Sequence, residues 1–251
     1  MFKYFLYTKD FLPEEAEGMG LFSLSHIVEL FVAAAIVALT AVLYKRCDTA
    51  LRHKWLIAVV ILLWIDELIK KLGSAALGMW EVGFLPLHIC SVNIILATEY
   101  IFTKSKVTAQ LLYCLGVPGA VMALIMPTWS KLPILNFMHL HSYTVHILLT
   151  IFPILLIING ERPNIKYLPN CCIALAIYSV PIYFVNLALK TDFMFLNGAK
   201  GTPFTGLVKA IGQPLYCPLL VLLICGLMAL MYIPWVIIDK RKNNRKEIYH
   251  A

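Results

Sequence analysis

The apolar stretch FLPLHICSVNIIL, residues 84–96, carries His88, Cys90, Ser91 and Asn93, and FMHLHSYTVH, residues 137–146, carries His139, His141 and His146. A thiol and an imidazole share one chemistry suited to an apolar setting: the imidazole takes the thiol proton and the thiolate attacks an acyl carbonyl. Cys90 and His146 form the candidate catalytic pair, with His88 or Asn93 as the donor to the developing oxyanion. A purely structural alternative stays open, in which Cys90 is a packed small residue and His146 a hydrogen-bonded core histidine.

On a helix His139 and His146 return to within about 20° of one face, whereas His141 is offset from His139 by about 200° and reads as an interfacial histidine. Two histidines separated by about 10.5 Å along a helix axis cannot hold one ion unaided, and a metal site would need residues from other helices; no metal or other cofactor is expected. The sequence has no Ser-His-Asp spacing and no phosphate-cradling glycine run. Its seven cysteines lie mostly inside apolar runs, without CxxC spacing, and read as small apolar fillers.

The elements that carry these residues are transmembrane. Of 251 residues, 61% are apolar and 14% charged, and the mean hydropathy of +0.80 excludes a soluble domain. Apolar runs near the roughly 20 residues that cross about 30 Å of hydrocarbon recur along the whole chain. They predict an all-α polytopic bundle of about seven spans: 25–45, 55–72, 85–102, 108–126, 137–159, 167–189 and 215–238. Three regions follow: an extracytoplasmic segment 1–24, a transmembrane domain 25–238 and a basic cytoplasmic tail 239–251. Pro86 is expected to open the third helix, and Pro118, Pro153 and Pro181 to interrupt the fourth, fifth and sixth. The connection 190–214 is expected to fold back onto the bundle mouth through Phe193, Met194, Phe195, Leu196 and Phe204.

The formal charge of +7 sits in short loops and the tail, where headgroups and topology account for it, so nucleic acid is discounted as a partner and membrane lipid is favoured. Alternating the loops gathers 13 of the 21 lysines and arginines on one side. That bias predicts a multi-pass protein of the cell membrane with its amino terminus outside and its carboxyl terminus cytoplasmic.

An ionisable side chain inside lipid costs about 2.5 to 3.5 kcal/mol on insertion scales, so each needs a partner or a wet cavity. Asp66 with Lys70 and Glu67 with Lys71 have the spacing of helical ion pairs. Glu29 either pairs with His26 three residues before it or points into the bundle. The candidate binding residues are His88, Asn93, His139, Glu29 and Glu67, and the polar faces of these helices are expected to meet in one pocket. A second function class remains: a transporter or small-ligand binding protein in which Glu29, Asp66, Glu67 and the histidines line a route, although no internal repeat supports it.

The strings LFSLSH, LPLHICS, SYTVH, NLALKTDFMFLNGAKGTPF and GQPLY, in this order, resemble the YwaF family of bacterial seven-helix integral membrane proteins. The chain is also distantly similar to the eukaryotic transmembrane protein 164 family, acyltransferases that remodel ether phospholipids with a cysteine and a histidine. More remotely it resembles the androgen-induced membrane hydrolases of fatty acid esters. These resemblances imply lipid acyl chemistry inside the membrane and carry the histidine role to His146. The eukaryotic branch places its cysteine between a proline and a histidine, where this chain has Leu87. Cys90, one turn further on, is the inferred substitute. Asp192 stands where asparagine is expected before FMFL.

Overall fold

Chain-breaking and capping residues divide the sequence into helices. A computed structural model describes residues 4–8, 11–14, 16–199 and 205–250, the side chains of residues 214 and 243–250 excepted. Nine α-helices appear among them: α1 (Leu24–Lys45), α2 (Thr49–Ala76), α3 (Ile89–Thr103), α4 (Lys106–Leu111), α5 (Val117–Ile125), α6 (Phe137–Ile158), α7 (Leu168–Leu189), α8 (Thr205–Ile211) and α9 (Gln213–His250). No strand occurs among the described residues. Side-chain oxygens of Ser23, Asp48, Ser105 and Asn136 accept from orphan N–H groups at the starts of α1, α2, α4 and α6. These four caps fix where the chain turns back into the bundle.

Four spans differ from the sequence expectation, α2 being longer at both ends, Thr49–Ala76 against 55–72. α3 starts at Ile89 and not at Leu85: Val82–Phe84 form a 3-10 turn, and Pro86 lies in the short run-in between that turn and the helix. α4 and α5 form one span joined by the π-turn Leu112–Gly116 just before Pro118, whose missing N–H makes an irregular turn inexpensive there. α9 carries its helix through the basic tail.

Six helical stretches among the described residues are long and apolar enough to cross a membrane. The seventh expected span, α2, is long enough but carries Arg52 and Lys54 near its start and Asp66, Glu67, Lys70 and Lys71 near its end. It nevertheless packs on α3 and α6, with Leu56 and Leu63 fully enclosed. The protein is a multi-pass membrane helix bundle.

α6 is its centre, packing on α1, α2 and α5 and burying Phe152, Leu155 and Leu156 in one apolar cluster. A second cluster joins the π-turn, α7 and α9 through Cys114, Cys171, Tyr216 and Tyr232. At the end of the bundle away from the amino terminus, Glu161 accepts from Tyr100 (2.8 Å) and Lys106 (2.7 Å), while Gln110 ties the 162–164 turn to Tyr232. At the other end the amino-terminal segment straps the mouth. Asn136 Nδ2 donates to the Tyr4 and Tyr7 carbonyls, and the N–H groups of Met19 and Gly20 donate to the Leu132 and Ser130 carbonyls.

The 190–199 connection folds back as expected, burying Phe193, Met194, Leu196 and Ala199. Asn186 accepts from Phe193 N–H and donates to the Phe193 carbonyl, and Asp192 accepts from the N–H groups of Asn197 and Ala199. Phe204 lies outside the described residues.

Candidate functional site

The Asn136 cap starts α6 so that its first three turns face α1 and α2 with three histidines. His139, fully buried, places Nε2 2.8 Å from Glu29 Oε1, and the Tyr143 hydroxyl donates to the Glu29 main-chain oxygen. Glu29 therefore points into the bundle. His26 is occupied elsewhere: its Nδ1 accepts from Phe22 N–H and its Nε2 donates to the Leu124 carbonyl, 2.9 Å away.

His141 is buried, and its Nδ1 lies 2.9 Å from Asp66 Oδ1, so it is a partnered side chain. Thr144 donates to the other Asp66 oxygen at 2.6 Å. With Asp66 drawn to α6, the expected Asp66–Lys70 pair does not form. Glu67 instead takes both ammonium groups, Lys70 at 2.7 Å and Lys71 at 3.2 Å, and lies 3.6 Å from His141 Nε2.

His146 donates Nδ1–H to the Ser142 carbonyl one turn earlier. A carbonyl only accepts, so in the neutral ring Nδ1 holds the hydrogen and Nε2 holds the lone pair. Among the described residues no hydrogen-bond partner engages Nε2. The ring stacks on Trp129 at 5.2 Å, and the same indole meets His139 edge-on at 6.5 Å.

His88 has the opposite arrangement. It sits at the N-cap of α3 without capping it, because its Nδ1 accepts from Met194 N–H at 3.3 Å. Nε2 then carries the hydrogen in the neutral ring. Phe193 packs edge-on against it at 5.0 Å, so the 190–199 connection covers one side of His88. Cys90 is a free, partly buried thiol in the first turn of α3. Nearby, Tyr178 holds the Leu87 carbonyl at 3.2 Å. Asn93 is buried about one turn deeper with Oδ1 unpartnered among the described residues. Its amide lies against Gly116 of the π-turn, where a Cβ would stand 3.3 Å from Oδ1.

Four of the seven expected site residues fall into three separate groups. Glu29 and His139 bond directly; Glu67 joins Lys70, Lys71 and His141; Asn93 faces the π-turn. Cys90 and His146 make no hydrogen bond to each other. Among the described residues no three His, Cys, Asp or Glu side chains converge to hold a metal ion. What the residues offer singly is a base with a free lone pair (His146), an imidazole N–H donor (His88) and a thiol (Cys90).

Sequence reasoning missed Trp129 and the partner of Lys70. Trp129 stands in PTWSKLP, a proline-bounded turn between spans, where a tryptophan signals an anchored aromatic. Spacing pairs Lys70 with Asp66, whereas the structure pairs it with Glu67 at 2.7 Å, because Asp66 turns to His141.

No curated protein and no solved structure matches the chain. A family model described as the TMEM164 family matches residues 21–232, from the run-in to α1 through Tyr232 in α9, and the chain belongs to that family.

Proposed function

We propose that this protein carries out acyl-ester chemistry on membrane lipid, transferring or hydrolysing an acyl chain at the mouth of the bundle. The observation that supports this best is the His146 tautomer: Nδ1–H is committed to the Ser142 carbonyl, leaving Nε2 as a base beside an indole wall. His146 Nε2 takes the Cys90 thiol proton, and the thiolate adds to the ester carbonyl. The carbonyl oxygen becomes an oxyanion, met by a donor such as His88 Nε2–H. Collapse expels the lipid alcohol, which takes the proton from the imidazolium and leaves a thioester on Cys90. A second lipid hydroxyl, or water, then attacks the thioester and regenerates the thiol.

Within its family the chain is assigned to the YwaF branch on the residue strings quoted above. The amino terminus is assigned to the outside and the tail to the cytoplasm, on the 13 of 21 basic residues at the far end. With that orientation the site opens outward, since it lies at the end that the amino-terminal segment straps.

The test is mass-spectrometric lipid turnover by the purified protein. Wild type should release or transfer acyl chains, Cys90→Ala and His146→Ala should abolish this, and Cys114→Ala should not. Full turnover by Cys90→Ala would remove the thiol nucleophile. A second reading, transport of a cation or small solute, draws support from the Glu29–His139 and Asp66–His141 pairs within the bundle. It predicts that substitutions at Glu29 or Glu67 matter more than those at Cys90.

A further inference from the structure

Trp129 touches both of the histidines that share a stripe of α6. Its indole stacks on the His146 ring with centroids 5.2 Å apart and planes 20° apart, and it meets His139 edge-on at 6.5 Å. His139 is a firm support, because it is fully buried and its Nε2 lies 2.8 Å from Glu29 Oε1. The turn that carries Trp129 is pinned at three places. Its approach is fixed by His26, whose Nε2 donates to the Leu124 carbonyl in the last turn of α5. Its exit is fixed by Asn136, whose N–H donates to the Pro133 carbonyl at 2.8 Å and whose side chain caps α6. Between these, the N–H groups of Met19 and Gly20 donate to the Leu132 and Ser130 carbonyls at 3.0 and 3.1 Å, and Leu132 N–H donates to the Trp129 carbonyl at 2.8 Å. The strap lies so close to the turn that a Cβ on Gly18 would stand 2.7 Å from the Lys131 backbone.

The χ2 torsion of a histidine is broad and two-fold, so one bond from Nδ1–H to the Ser142 carbonyl does not by itself hold the plane of the ring. An indole lying against the ring face does, since rotation about χ2 would drive the ring edge into it. We propose that Trp129 is the positioning residue of His146: the stack holds the imidazole in the plane that gives Nδ1–H to Ser142 and leaves Nε2 as the base, and the amino-terminal strap holds Trp129 against the ring. This rests on the reading of His146 as the base of an acyl transfer. An interfacial anchor would act differently, through its indole N–H at the headgroups.

Two readouts separate position from chemistry. The tautomer of His146 is read from imidazole nitrogen-15 shifts of the full-length, histidine-labelled protein in neutral detergent, the signals being assigned by their loss in His146→Gln. Turnover, as kcat and KM, is read on a phospholipid with one isotopically labelled acyl chain. Wild type should show His146 as the Nδ1–H tautomer. Trp129→Phe, which keeps an aromatic ring but no indole N–H, should retain that tautomer and hold kcat within about threefold. Trp129→Leu should show both tautomers and lower kcat about 10- to 100-fold with KM within about threefold, as displacement of a reacting group by about 1 Å does. Gly18→Ala, which keeps Trp129 but displaces its turn, should move both readouts in the direction of Trp129→Leu, and it stands in for that variant if the latter does not fold.

An unchanged His146 tautomer in Trp129→Leu, or in its stand-in, would overturn the proposal. So would a loss in Trp129→Phe equal to that in Trp129→Leu, which would make Trp129 an interfacial anchor. A normal His146 in Gly18→Ala beside a perturbed one in Trp129→Leu would refute the part assigned to the strap. If the tautomer depends on Trp129 but wild type turns over no lipid, the acyl reading fails and the positioning stands. If turnover requires Cys90 and His146 while Trp129→Leu matches wild type in both readouts, the positioning fails and the acyl reading stands.

Discussion

The Glu29–His139 bond is the sharpest structural commitment in the site, because it joins α1 to α6 through one 2.8 Å contact between side chains that are 15% and 0% exposed. A double-mutant cycle of Glu29→Ala, His139→Ala and the pair isolates it. Breaking a buried ion pair in a soluble protein costs about 3–5 kcal/mol, whereas interhelical polar contacts in a bilayer protein average about 0.6 with a maximum near 1.7 kcal/mol. The upper end of the second range applies here. Among the described residues His139 Nδ1 has no hydrogen-bond partner and Tyr143 holds only the Glu29 main chain, so no other bond there to either side chain compensates. A coupling energy of about 1.5 kcal/mol is expected, with Glu29→Ala alone costing about 2 kcal/mol. For a chain of this size that cost lowers the melting midpoint by about 4–8 °C, read by thermal unfolding of the four proteins in one detergent. Additive single effects, with coupling below about 0.3 kcal/mol, would show that the two side chains do not meet and that Glu29 is not directed into the bundle.

Asn186→Ala should leave the buried Phe193 N–H without its acceptor, costing about 1–3 kcal/mol locally, and raise amide exchange across residues 191–199 while α7 stays protected. Unchanged exchange would mean that this connection is held by its apolar side chains alone. Gly18→Ala should lift the amino-terminal strap, since its Cβ would stand 2.7 Å from Lys131 backbone atoms; limited proteolysis within residues 11–20 should accelerate, and an unaltered cleavage rate would count against the strap. A cysteine introduced near the carboxyl terminus of a Cys-free variant should resist an impermeant thiol reagent in intact cells, and labelling there would reverse the assigned orientation.

The fold was legible because lipid leaves few choices: backbone groups must bond within each helix, so apolar length and caps such as Ser23 and Asn136 nearly determine the elements. The site was legible as a set of costly residues, and much less so as a set of contacts. Spacing along α2 pairs Asp66 with Lys70, but the crossing with α6 brings His141 and Thr144 to Asp66 and leaves Lys70 to Glu67. Helical periodicity likewise separates His141 from His139 without saying that α1 and α2 flank α6 and give each histidine a carboxylate of its own. The π-turn at Leu112–Gly116 was hidden for a similar reason. Pro118 marks an irregularity, and only the approach of Asn93 to Gly116 reveals what packs there.

The measurement closest to the central claim is intact-protein mass spectrometry after brief exposure to a phospholipid carrying one isotopically labelled acyl chain, followed by peptide mapping. Wild type should gain the mass of that acyl group as a hydroxylamine-sensitive thioester on Cys90. His146→Ala, lacking the base, should gain none. A labelled acyl group on any other residue, or lipid turnover by wild type that persists in His146→Ala, would contradict the account.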